Sequence, residues 1–266
     1  MTDILLSAFV LSVVLLGIHS FFGLEIIKRG IIFTDLAIGQ MAAVGAAVSI
    51  LFLHGEYLDL ISLGFALLAG ALIAYAARRT EKHEAFIGLL YAFGLSAVFI
   101  ILSKSYHGME MFQKLMASDI LFTPFSEILR TAVIYGILGT ILILFFRKWS
   151  GLAKETLFFV TFAITVTVAV RLAGVLVVFA LLVAPALIAL RIRRGIPILN
   201  AWIIGTIVNL AAIVISYECD FPTGYTLVLL HATLALAASL VLPVRVAATA
   251  GNGPEGVQAN ATDSQH

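Results

Sequence analysis

Apolar residues along this chain come in long runs separated by short polar punctuation, with little of the two-residue alternation of a half-buried strand. The runs fall at about 4–26, 31–53, 57–77, 85–103, 128–146, 156–172, 174–190, 197–217 and 225–243. Crossing a hydrocarbon core of roughly 30 Å takes ~20 helical residues, and most of these runs approach that length. The pattern therefore predicts an all-α bundle of transmembrane helices. Residues Thr156 to Leu190 form one 35-residue apolar stretch interrupted only by Arg171 and Gly174. That is too long for one straight crossing, so it divides in two. The count is then nine, with eight as the alternative.

The polar punctuation carries a direction. Lys28 and Arg29, Arg78, Arg79 and Lys82, Arg147, Lys148 and Lys154, and Arg191, Arg193 and Arg194 occupy alternate connections. With Arg245 they place twelve of the sixteen lysines and arginines on one side. Basic loops mark the cytoplasmic face, so the N-terminus is expected outside and the C-terminus inside. The outer connections are short except for 104–127, which mixes Phe, Met and Leu with charges and reads as an amphipathic segment at the outer interface. Residues 1–244 are expected to form one transmembrane domain. The segment 245–266, rich in Ala, Gly, Asn, Thr and Gln, is expected to be a disordered cytoplasmic tail.

Small residues recur inside the second run, Gly39-Gln40-Met41-Ala42-Ala43-Val44-Gly45-Ala46-Ala47. Helices in lipid gain little from apolar contact alone and associate where small residues let backbones approach. This run is expected to be a buried, closely packed helix.

Composition agrees with the pattern and narrows the function. Hydrophobic residues are 62% of the chain and charged residues 12%, against about 25% charged in a soluble domain. Mean hydropathy is +1.11. The formal net charge of +1 gives no field that would attract nucleic acid, and the single Cys219 excludes an internal disulfide and a cysteine-rich metal site. The N-terminus lacks the basic start and small-residue cleavage site of a signal peptide, so its first run is expected to remain as a helix. No lysine follows a glycine, so the phosphate-cradling loop of an ATPase is missing. His-Glu-x-x-His and Gly-x-Ser-x-Gly are missing too, which leaves protease and esterase readings without support. The chain is not expected to be an enzyme; energy for transport would come from a partner or an ion gradient.

Three stretches, in order, resemble the permease subunits of bacterial ABC importers for divalent metals. Lys28-Arg29-Gly30-Ile31-Ile32-Phe33-Thr34-Asp35-Leu36-Ala37 is similar to the family's basic pair followed by Gly-Asp-Ala-Leu-Ser-His. Glu84-Ala85-Phe86-Ile87-Gly88 is similar to its acidic-x-x-Ile-Gly helix start. Leu181-Leu182-Val183-Ala184-Pro185-Ala186 and Asp220-Phe221-Pro222-Thr223-Gly224-Tyr225-Thr226 resemble its Leu-Leu-Val-x-Pro-Ala and Asp-x-Pro-x-Gly-x-Thr marks. The resemblance spans roughly residues 5–243. It implies a homodimeric pore in the bacterial plasma membrane, a cytoplasmic ATPase dimer and an extracytoplasmic metal-binding protein. The metal (zinc, manganese or iron) would be cargo, with no cofactor bound permanently. The sequence departs from the motif four residues after Asp35, where Gly39 stands in place of the family's histidine.

Asp35 and Gln40 in the second run, His19 in the first and His231 in the last are the candidate metal-path residues. A carboxylate within a span is costly, about 2.5–3.5 kcal/mol at the centre on insertion scales, and so faces the bundle interior and pairs. Asp35 is either a transient ligand or the partner of Lys28, Arg29 or its own helix N-terminus. Imidazoles suit zinc and similar metals, but a single membrane histidine more often bonds a neighbouring helix. His54, Glu56, Asp59 and His107 read as solvated outer-loop residues that could guide a cation. Glu218, Cys219 and Asp220 read as the end of a helix followed by a turn at Pro222 and Gly224. Arg191, Arg193, Arg194 and Gly195 form a cytoplasmic connection, and the resemblance implies that it docks into the ATPase. Glu84, in the connection at 78–88, is a second coupling candidate. Pro185 is expected to kink its helix, and Arg171 to reach the outer interface. The rival readings are a gradient-driven secondary transporter of a small cation or metabolite, weakened by the absence of internal repeats, and a membrane-embedded enzyme.

Overall fold

The computed structural model describes residues 2–80, 82–104, 110, 120–192 and 194–242. Among them are nine α-helices: α1 (Thr2–Arg29), α2 (Thr34–Leu53), α3 (Leu58–Arg79), α4 (His83–Leu102), α5 (Phe125–Phe145), α6 (Gly151–Ala173), α7 (Val175–Arg191), α8 (Pro197–Glu218) and α9 (Thr223–Val241). A 3-10 turn, Ile120–Phe122, precedes α5. Eight helices are long and apolar enough to cross a membrane, and α7 is the shorter ninth. Its 17 residues, at 1.5 Å each, reach about 26 Å.

The long apolar stretch does divide, and Gly174 is where it does so. Its φ of 83° and ψ of 156° lie in a region essentially reserved for glycine, which ends α6 and starts α7 without an intervening loop. Pro185 lies within a continuous α7. α1, α4, α5, α6 and α9 begin a few residues earlier than their apolar runs, whereas α2 begins three residues later. Polar first turns such as Phe125-Ser126-Glu127 and Gly151-Leu152-Ala153-Lys154 are helical although they do not read as apolar. Most of the outer connection, including His107, lies outside the described residues, as do Arg193 and the segment 245–266.

Ion pairs and caps at the helix ends fix an up-and-down alternation. At one end, Arg29 on α1 pairs with Glu155 at the start of α6 at 2.7 Å. Arg191 on α7 donates to the carbonyls of Ser239 and Leu242 at the end of α9, at 3.0 and 2.9 Å. At the other end, Arg171 near the close of α6 reaches Asp59 on α3 and Glu127 on α5, at 3.0 and 2.8 Å. Arg171 is thus held between two carboxylates from two other helices instead of extending alone to the interface. The alternation matches the charge pattern along the chain, with Arg29, Arg79 and Arg191 closing α1, α3 and α7.

The helices sort into two groups. α2 packs closely with α3 and α4, while α1 packs with α7 and α8, and α9 with α7 and α8. Although consecutive, α1 and α2 hardly touch. α6 joins the groups, contacting α3, α2, α7, α5 and α1. Burial follows: 67% of the α2 core window and 61% of the α6 window are shielded by protein, against 22% for α4 and α9. Large apolar side chains such as Leu89, Ile143 and Leu240 are exposed, as expected of a surface that meets lipid. The core between α1 and α6 is aromatic, with Phe22 packed against Phe158 and Phe162 at centroid distances of 5.5 and 4.8 Å.

Glycine makes the α2–α3 approach possible. A Cβ on Gly45 would lie 2.7 Å from the Ile61 carbonyl oxygen and 2.8 Å from the Ser62 Cα, so any side chain there would push the helices apart. The expectation of a buried, small-residue helix at 39–47 holds for that reason.

Candidate functional site

α2 opens after a tight turn in which Gly30 adopts a φ of 67° and the Thr34 hydroxyl donates to the Ile31 carbonyl at 2.7 Å. Its first turn is already interior: Thr34 and Asp35 have relative exposures of 0% and 1%. By sequence Asp35 sits at the very start of its helix; in space it sits deep. Gly39, one turn further on, has its missing Cβ direction 3.5 Å from Val170 and 3.7 Å from Val175, residues at the far ends of α6 and α7. Asp35 is thus shielded within the bundle, while Phe33, two residues before it, still meets Glu84 at the start of α4, beside the basic connection after α3.

The two basic neighbours do not neutralise it. Lys28 is bound to Glu25 at 3.2 Å, and Arg29 lies on Glu155 with its guanidinium 4.2 Å from the centre of the Phe158 ring. One carboxylate oxygen of Asp35, Oδ1, is buried with no hydrogen-bond partner. The positive end of the α2 dipole is the favourable field nearest to it. That oxygen remains an acceptor with no partner among the described residues.

Gln40 is equally buried, and its Oε1 also lacks a partner. It does not share a face with Asp35. Five residues along a helix turn about 140°, and the Gln40 Cβ lies against Gly94 on α4, whereas Gly39 looks toward Val166, Val170 and Val175 on α6 and α7. An i, i+4 pair turns about 40°, so Asp35 shares the Gly39 side. There the wall one turn above it is apolar, and α2 supplies no second ligand.

His19 is fully buried on α1, with Nδ1 2.7 Å from the Leu15 carbonyl oxygen. That contact requires the proton on Nδ1 and leaves Nε2, which is unpartnered, with its lone pair free. Its ring lies 6.0 Å from that of Tyr135 on α5, whose hydroxyl donates to the Thr165 carbonyl. His231 is used differently: Nε2 lies 2.8 Å from Asn209 Oδ1 on α8, a bond that ties α9 to α8. Asn209 and Tyr135 are two interior polar groups, bonded across helices, that sequence reasoning passed over. A lone amide in the run Ile207-Val208-Asn209-Leu210 was the available signal for the first. Among the described residues there is no group of three or more His, Cys, Asp or Glu placed to hold a metal ion.

At the opposite pole of function, Arg191 caps α9, as described above, and Arg194 offers its carbonyl to the Asn200 amide at 2.8 Å. Gly195 takes a φ of 86°, which bends the connection into α8. Glu84, the second residue of α4, accepts a hydrogen bond from the Phe33 backbone N–H at 3.2 Å. At the outer side Glu218 ends α8, Cys219 is exposed, and Asp220 adopts a φ of 55°. The Ser216 hydroxyl then bridges Phe221 and Thr223, closing the turn. This cluster is a turn and gathers no ligand set. His54 ends α2 with a φ of 53°, and Asp59 is engaged by Arg171.

Nine helices alternate up and down among the described residues, eight of them long and apolar enough to cross a membrane, and Asp35 lies buried among them with one oxygen unpartnered. The model of the ABC 3 transport family matches residues 1–242, and the chain belongs to that family. It is a multi-pass protein of the plasma membrane. It is 24% identical over 258 residues to a "probable iron transport system membrane protein" of Haemophilus influenzae, covering 91% of each chain. It is 26% identical over 230 residues to an uncharacterised membrane protein of Cyanophora paradoxa, covering 76% of each. Its fold is similar to PsaBC of Streptococcus pneumoniae, solved with an antibody Fab, with a TM-score of 0.73 and 19% identity over 90% of this chain and 92% of that one. A metal-chelate type ABC transporter in an inward-facing conformation shares the fold at a TM-score of 0.65 and 15% identity, over 88% and 85% of the chains.

Proposed function

We propose that this chain is the membrane subunit of an ABC importer that carries a divalent metal ion, zinc, manganese or iron, across the plasma membrane. It works as a homodimer, driven by a separate cytoplasmic ATPase dimer and supplied by an extracytoplasmic metal-binding protein. The observation that carries the reading is Asp35: a buried carboxylate with a free oxygen, on the central helix of a chain in a transport family of this kind. The printed name of the Haemophilus influenzae relative, which refers to iron transport, lends support on the substrate side.

Mechanistically, ATP binding and hydrolysis on the partner would alternate the dimer between outward-open and inward-open states. The cation would meet Asp35 in passing. A conduction site must bind weakly enough to release, and a single carboxylate against a valine wall meets that need better than a closed cage. His19, with its free Nε2, is the second group able to touch cargo. Arg191, Arg193, Arg194 and Gly195 would form the connection that meets the ATPase, with the exposed Arg194 as the charge available for contact.

The test is uptake into proteoliposomes holding the chain with its ATPase and binding protein, comparing zinc, manganese and iron with and without ATP. ATP-dependent accumulation of one of them is expected. Uptake that follows an ion gradient and ignores ATP would overturn the reading in favour of a secondary transporter.

A further inference from the structure

Phe33 stands two residues before Asp35 and is held from two sides. Its backbone N–H donates to Glu84 Oε1 on α4 at 3.2 Å. Its ring lies parallel to that of Phe179 on α7, at 6° and 6.3 Å between centroids. α2 has no capping side chain of its own, because its N-cap position is Phe33 itself. The N–H groups at a helix start need an acceptor from elsewhere, and here a neighbouring helix supplies it. α4 is locked to α2 at a second point: a Cβ on Gly94 would lie 3.0 Å from the Gln40 Cβ and 3.3 Å from the Gln40 carbonyl carbon. The two helices are therefore in close contact at two points, ten residues apart along α4.

α4 follows the basic connection after α3, and α7 leads into the basic connection before α8. Both connections lie at the end of the bundle where the positive charges gather. Their helices meet at the residue that sets the position of Asp35.

We propose that Glu84 is a positioning residue for the transport site: by capping α2 from α4 it makes the N-terminus of α2 follow the cytoplasmic connection at 80–83, with Phe33 as the node that α7 grips from the other side. This rests on the reading of Asp35 as the group that meets the cargo, and gives Glu84 a role inside the membrane subunit instead of at the ATPase surface. The residue is half-buried, with Oε1 on the Phe33 N–H and the second oxygen, Oε2, buried without a partner.

The test compares Glu84→Ala with Glu84→Gln in the full complex, reading metal moved per ATP hydrolysed. Gln keeps an acceptor for the Phe33 N–H; Ala removes it. Glu84→Ala is expected to lower that ratio by about fivefold, the size of a lost helix cap, with the hydrolysis rate and co-purification of the ATPase unchanged, and Glu84→Gln to restore it. An unchanged ratio in Glu84→Ala overturns the proposal, and so does equal failure of both variants, which would mean that the charge itself serves the ATPase. A second readout needs no transport. In a Thr34→Cys, Cys219→Ser background the buried position 34 is alkylated with a membrane-permeant maleimide. Glu84→Ala should speed labelling severalfold and Glu84→Gln should not. If the unmodified complex moves no metal, the functional reading falls while labelling still decides the cap: unchanged labelling rejects it, and faster labelling in Ala alone upholds it.

Discussion

At Asp35 a charge-bearing group lies in the interior with one oxygen left free, while the two cations closest in the chain are engaged elsewhere. Removing the charge while keeping the shape should then affect transport more than folding. Asp35→Asn is expected to cut metal uptake by at least tenfold, a loss of about 1.4 kcal/mol in binding, while the ATPase still co-purifies; normal uptake would remove Asp35 from the path. The His231–Asn209 bond makes the opposite prediction. Asn209→Leu leaves His231 without its partner and should destabilise the protein by about 1–3 kcal/mol. The pair itself is worth little, about 0.6 kcal/mol on average for such bonds in membranes. Replacing both residues by Leu should therefore recover part of the loss, as read from thermal melts in detergent.

Residue chemistry was legible in the sequence only up to a choice. Asp35 could be a ligand or an ion-pair partner, and what separates the two is where Lys28 and Arg29 spend their charges. Both answers lie on acids outside the motif that holds Asp35, namely Glu25 and Glu155. Gln40 followed Asp35 closely enough in the chain to suggest a shared site; helical geometry sends it to α4 instead.

For the elements, lipid does most of the selecting. With no water in the hydrocarbon region every backbone group must bond within its own helix, so apolar runs become helices and the polar gaps between them become turns. Gly174 shows how sharply one residue can act, since it divides a 35-residue apolar stretch by taking a backbone conformation barred to other residues. Gly174→Ala should cost about 1–3 kcal/mol and lower the melting temperature, and an unaltered melt would mean that α6 and α7 can run on as one helix. The burial of the first turn of α2 was not legible. It reads as an inner end because it follows a basic pair, and Phe33 does meet Glu84 there, yet Thr34 and Asp35 are fully shielded by the surrounding helices. Arg191 likewise reads as a loop cation. Its two bonds to the final carbonyls of α9 predict that Arg191→Ala frays α9, seen as faster amide exchange at 238–242. If the proposed docking connection meets the ATPase, replacing Arg193 and Arg194 with Glu should detach or uncouple it; intact binding would reject that role.

Over the whole molecule, two helix groups are held together by α6, with an ionic tie at each end of it. Arg171 joins α6 to α3 and α5 at one end, and Glu155 joins α6 to α1 at the other. Exposed pairs of this kind contribute about 0–1 kcal/mol each and weaken with salt. Arg171→Met should lower the melting temperature measurably in low salt and much less in high salt. The alternation of basic connections agrees with the up-and-down order of the described helices, because that pattern acts on each connection separately. Apolar runs, their number, the basic side and the family motifs are local properties of consecutive residues, and the chain by itself determined them. Which helix is central, what each charge is bound to, and how deep Asp35 lies were decided by partners far away in sequence. Arg171 meets Asp59 across 112 residues, and Phe33 meets Glu84 across 51. In lipid, where apolar contact is nearly free of preference, such choices rest on small-residue contacts and a few polar bonds that exist only once the helices have packed.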